Sequence, residues 1–133
     1  MALASLATLM LSLTTGTHAT RDSVPLYTDL GTYSRTITTK IPDAQRYFDQ
    51  GLRLVFGFNH AEAIRSFNEA ARRDPKCAMC FWGIAYAYGP HVNAGMDSAS
   101  GVAAYAAAQK AKSLSKSANP AEQAFIKIGR AHV

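Results

Sequence analysis

Residues 42–90 read PDAQRYFDQGLRLVFGFNHAEAIRSFNEAARRDPKCAMCFWGIAYAYGP. Apolar side chains recur in this stretch at three- and four-residue spacing, and Pro and Gly fall between the periodic runs, as they do in short connections between helices. The spacing predicts a first helix from about Pro42 to Gly57, with Pro42 in its first turn. Tyr47, Gly51 and Leu54 lie on one stripe of that helix, and Phe48, Leu52 and Val55 on the next. Asn59 starts a second helix, with Glu62 three residues on as the partner of a capping box and Ala63, Phe67 and Ala70 facing inward. Asp74 is expected to cap a third helix with Pro75 in its first turn, its buried stripe running through Phe81, Ala85 and Tyr88 until Gly89-Pro90 stops it.

Beyond this stretch, a fourth, Ala-rich helix spans roughly Ser100–Leu114, and Asn119-Pro120 opens a fifth. Only Thr36 to Lys40 reads as extended. The fold class expected is therefore all-α.

The chain has 133 residues, room for one domain of ordinary size. With 48% apolar and only 17% charged residues it packs a core, which excludes the disordered class. A net charge of +5, spread along the chain, falls short of the dense basic stripe of a nucleic-acid binder, so no nucleic-acid partner is expected.

Both ends carry a different signal. Residues 1–19 hold no charged side chain, and Leu3 to Thr14 form an apolar run of the length of a signal-peptide h-region, too short to span a bilayer. Thr17-His18-Ala19 supplies small residues at the minus-three and minus-one places of a cleavage site, so 1–19 is read as a signal peptide. The mature chain then starts near Thr20, is periplasmic or secreted, and has no membrane span after cleavage. The n-region lacks Lys or Arg, which leaves a start placed too far downstream, or an apolar helix of the mature protein, as alternatives. At the other end, residues 128–133, Ile128-Gly129-Arg130-Ala131-His132-Val133, match a common sequencing adapter when read back through codons. They are taken as non-native, so that the natural chain continues past Lys127; the alternative is a genuine helix end with a Gly cap.

Tyr47, Gly51, Leu54, Ala63, Phe67, Ala70 and Pro75, in their spacing, resemble the tetratricopeptide repeat, a helix-turn-helix unit of 34 residues. One repeat length beyond Tyr47 and Gly51 lie Phe81 and Ala85, so a second unit begins in register. Ala44 to Leu52, Gly57-Phe58-Asn59-His60, Cys77-Ala78-Met79-Cys80, Trp82-Gly83 and Gly89-Pro90 are further similar to a subfamily of longer exported bacterial tetratricopeptide proteins. The resemblance implies an α-solenoid of about two repeats plus the start of a third. After an extended segment, 20–41, these are a first unit at 42–75, a second, irregular unit with a long inter-helix loop at 76–118, and a third beginning at 119–127. Such units bury their apolar faces only against neighbours, so a fragment of this length is expected to be marginally stable.

The resemblance also implies a concave surface, lined by the first helix of each pair, on which a protein or peptide partner lies. Carried over, it presents Gln45, Phe48, Asp49, Leu52 and Val55 from the first unit and Met79, Trp82 and Tyr86 from the second. Aromatic and Met side chains there suit an apolar or mixed peptide better than a strongly acidic one. The other reading is that Phe48, Leu52, Val55 and Trp82 are buried, by the extended N-terminal segment or by a later helix.

Cys77 and Cys80 carry the remaining chemistry. Three apart at a helix start, they share a face, where the helix dipole lowers the pKa of Cys77. The pair fits a disulfide, a redox dithiol, half a zinc site, or, with Met79 and His60 or His91, a copper(I) site. Cys80 is followed by Phe81, which excludes c-type haem attachment, and no second such pair completes a four-thiolate zinc site. Arg65, Arg72, Arg73 and Lys76 cluster at the end of the second helix and read as a solvated face answering its dipole. No nucleophile with its base, paired carboxylates or phosphate loop occurs, so no enzyme activity and no obligatory cofactor are expected. The function expected is a non-catalytic, exported, protein- or peptide-binding scaffold; the alternative is a thiol-based copper or zinc, cofactor or redox protein.

Overall fold

A computed structural model describes residues 23–129. It contains five α-helices, α1 (Pro42–Phe56), α2 (His60–Arg73), α3 (Ala78–Tyr88), α4 (Ser98–Leu114) and α5 (Pro120–Gly129), with a single 3-10 turn at Ser115–Ser117. Among the described residues no β-strand forms, and no helix is long and apolar enough to cross a membrane. The signal peptide read at 1–19 lies outside the described residues. Of the final hexapeptide, Ile128 and Gly129 continue α5 and the remainder lies outside them.

Local signals set most boundaries. Asn59 accepts at Oδ1 from the Glu62 amide at 3.4 Å, Asp97 from the Ser100 amide at 2.8 Å, and Asn119 from the Glu122 amide at 3.0 Å. Each satisfies one of the amides that a helix start leaves free. The Asp97 cap starts α4 at Ser98, two residues ahead of the Ser100 expected from the sequence. The start of α3 also differs from expectation. Asp74 does not cap it: its Oδ1 accepts from the Lys76 amide two residues on at 3.0 Å, and its Oδ2 from the Thr39 hydroxyl at 2.6 Å. Asp74-Pro75-Lys76 therefore forms a turn, an arrangement that Asp side chains favour, and the cap passes to Cys77, whose Sγ accepts from the Cys80 amide at 3.0 Å.

The helices pack in chain order, α1 on α2, α2 on α3 and α3 on α4, while α5 returns against α3 and α4. Phe67 of α2 is the fully buried centre, beside Phe48 at 5.5 Å between ring centroids. Burying a ring of that size contributes about 1.5–3 kcal/mol. Two glycines make the space for it. A Cβ added at Gly51 of α1 would lie 2.6 Å from the Phe67 ring, and one at Gly83 of α3 2.4 Å from it. Ala104, Ala107, Ala108 and Ala111 form the buried stripe of α4, and their small side chains let it approach α3.

The segment before α1 belongs to the fold. Val24, Leu26 and Leu30 pack on the core, Tyr47 donates its hydroxyl to the Val24 carbonyl at 2.8 Å, and Gln50 binds both sides of the chain near Pro25. The buried Gln50 side chain donates to the Pro25 carbonyl at 2.9 Å and to Ser66 Oγ at 3.1 Å, and accepts from the Tyr27 amide at 2.8 Å. A buried amide left without such partners would cost about 1–3 kcal/mol.

Candidate functional site

A second face of α1 carries Gln45, Asp49 and Arg53, one helical turn apart. All three reach the main chain of residues 33–37. Arg53 Nε donates to the Tyr33 carbonyl at 2.6 Å, Asp49 Oδ1 accepts from the Arg35 amide at 2.9 Å, and Gln45 Nε2 donates to the Arg35 carbonyl at 2.9 Å. Gln45 Oε1 accepts in turn from the Ile37 amide at 3.0 Å, and its Nε2 also donates to Asp49 Oδ1 at 3.0 Å, which holds both side chains in register. From α5, Glu122 accepts the Thr38 amide at 2.6 Å and the Asn119 amide at 3.3 Å.

Arg35 links this face to an aromatic step. The Arg35 guanidinium lies over the Phe125 ring at 4.0 Å, Phe125 meets Trp82 edge to face at 5.7 Å, and Trp82 stacks on Tyr86 at 5.1 Å. Tyr86 is 44% and Phe125 37% exposed. Cation–π contact and the amphipathic rings of Trp and Tyr suit such a step to peptide contact.

The open groove expected at Gln45, Phe48, Asp49, Leu52, Val55 and Met79 is thus occupied by the chain itself. Phe48, Asp49, Leu52, Val55 and Met79 are buried: Phe48 lies against the Phe67 ring, Asp49 under the Arg35 amide, and the rest within the core. Gln45 is half-buried, Trp82 half-buried and Tyr86 exposed, so only the part contributed by α3 and α5 is open. Arg35, Arg53, Glu122 and Phe125 were not singled out from the sequence. Glu122 alone carried a signal, standing three residues after Asn119 in the pattern of a capping box.

Cys77 and Cys80 are joined in a disulfide and fully buried. Bonded sulfurs offer no thiolate, so neither a depressed Cys77 pKa nor copper or zinc ligation by this pair applies in this state. His60 and His91 do meet, their rings stacked at 4.0 Å, with His60 Nδ1 3.3 Å from the Phe58 carbonyl and the Asn93 amide donating to His91 Nδ1 at 3.3 Å. They do not join the cysteines: among the described residues no three His, Cys, Asp or Glu side chains gather as a metal site would need. The cationic end of α2 is paired. Arg72 and Arg73 both bind Glu69, and Arg73 also reaches Asp43 at 3.0 Å.

No family model matches the chain, and no curated protein or solved structure matches it either.

Proposed function

We propose that this protein is a non-catalytic scaffold, a tetratricopeptide-like helical solenoid exported to the cell envelope, that binds an extended peptide or protein segment on the surface of α1, α3 and α5. One observation carries the reading. Three side chains on successive turns of α1 grip alternate main-chain groups of an extended stretch of polypeptide, which is how a peptide is held irrespective of its side chains. The step formed by half-buried Trp82 and exposed Tyr86 and Phe125 extends that grip and supplies area for aliphatic or aromatic side chains.

The test is selection of extended dodecamer peptides from a displayed random library on the mature chain. Selected peptides should lose at least tenfold in affinity on Tyr86→Ala and on Phe125→Ala, neither of which opens the core. Peptides indifferent to both substitutions would remove this surface as the binding site.

A further inference from the structure

We propose that residues 33–38 are a ligand held in cis, and that the groove takes, in trans, an extended peptide with the same pattern: an aromatic residue, then a basic residue two places on, then an aliphatic one two further. This rests on the peptide-binding reading and names the ligand class and the element that competes with it.

Three observations converge on it. The contacts to the segment fall on Tyr33, Arg35, Ile37 and Thr38, and those at 33, 35 and 37 repeat every second residue. That is the period of an extended chain lying with one edge on a surface. The side chains at the same three places make the contacts: Tyr33, itself exposed, packs edge to face on exposed Phe56 at 5.3 Å, Arg35 lies over Phe125, and Ile37 is buried, while Ser34 and Thr36 between them face solvent. The alternation separates what is read from what is not.

The hold on the segment, moreover, is built from exchangeable parts. Its amides and carbonyls at 33, 35, 37 and 38 bond to the side chains of Arg53, Asp49, Gln45 and Glu122, and the main-chain bond within this stretch is the local turn from the Thr39 amide to the Ile37 carbonyl. Another extended peptide offers the same groups. Arg35 Nε is buried with no hydrogen-bond partner, so the cis segment is held with one donor unmet. Opposing release is the tether: joined to α1 through Ile41, the segment competes at a millimolar-scale effective concentration, so the groove is closed to weak ligands and opens to those that match it.

The test uses the full chain and a fluorescein-labelled decapeptide of residues 31–40, followed by anisotropy. The Arg35→Ala, Ile37→Ala chain should bind this peptide at least tenfold more tightly than the unaltered chain, with unchanged helical circular dichroism. A peptide carrying both alanines should bind neither. Equal binding of the native peptide by the two folded chains overturns the proposal. Should the double variant lose its helicity, hydrogen exchange on the unaltered chain decides: the Arg35, Ile37 and Thr38 amides should exchange through an opening that leaves α1 and α2 amides protected. Exchange only together with α1 would make the segment an inseparable part of the core. The library selection on Tyr86 and Phe125 can succeed when this fails, and the reverse, so the two failures are distinct.

Discussion

The main-chain amide of Thr38 donates to the carboxylate of Glu122 at 2.6 Å, closing a span of 84 residues between the segment before α1 and the first turn of α5. The same carboxylate takes the Asn119 amide while Asn119 takes the Glu122 amide, so one buried side chain both caps α5 and pins the segment. Glu122→Ala should orphan two amides and cost about 2–3 kcal/mol, and Glu122→Gln, which keeps an acceptor, less than half of that. Urea unfolding measures both. An alanine variant as stable as the parent would mean that this tie contributes nothing.

Gly51 and Gly83 face the Phe67 ring from α1 and α3. Gly51→Ala and Gly83→Ala should each destabilise the chain by about 1–3 kcal/mol, because the ring is fully buried and has no space to retreat into. Since both press on one ring, their costs should not add, and Phe67→Leu in the same chain should recover part of either loss. Thermal melts of the single, double and relieved variants check this; strictly additive losses would show that the helices move apart independently.

The helices were legible because the signals that make them are local. Asn59, Pro42 and Asn119-Pro120 mark starts within a residue or two, and the stripe of Tyr47, Gly51 and Leu54 is buried, whereas Phe48, Leu52 and Val55, expected to line an open groove, are buried as well. The start of α3 was misread because Asp74 is a good cap by type, and only the Thr39 hydroxyl, 35 residues away, and the Lys76 amide show how its oxygens are used. The groove's occupation was hidden for a similar reason. Thr36 to Lys40 reads as extended, but the contacts that dock residues 33–38 run from their main chain to Gln45, Asp49, Arg53 and Glu122, and main-chain groups are the same at every position. Phe48 and Leu52 therefore looked equally fit to line a surface or to be covered.

The disulfide between Cys77 and Cys80 closes a very short loop at the start of α3. Replacing both by Ala should cost about 2 kcal/mol by the loop-closure estimate, with a further loss because the Cys77 sulfur that accepts the Cys80 amide is removed as well. Placing Ser at 77 with Ala at 80 should restore about 0.5–1 kcal/mol, since Ser is among the best helix caps. Urea unfolding of the two variants separates the contributions; identical stabilities would show that position 77 does not cap α3 in solution.

Glu69 links stability to pH. The hydrogen bond from Arg72, supported by Arg73, holds its carboxyl well below the usual 4.5, at about 2. A carboxyl depressed in the folded chain adds stability that is complete above its unfolded value and fades as pH falls through the folded one. The window is therefore from about 4.5 down to about 2. Both guanidiniums stand partly in solvent, Arg72 at 53% and Arg73 at 36% exposure, so screening limits the contribution to about 1 kcal/mol. Glu69→Gln should be less stable than the parent by that amount at pH 6 and by almost nothing near pH 2, and 1 M NaCl at pH 6 should shrink the gap. Urea unfolding across this range reads the difference directly. A gap that stays constant from pH 6 to pH 2 would assign the effect of the substitution to packing of the side chain and remove the charge from the account.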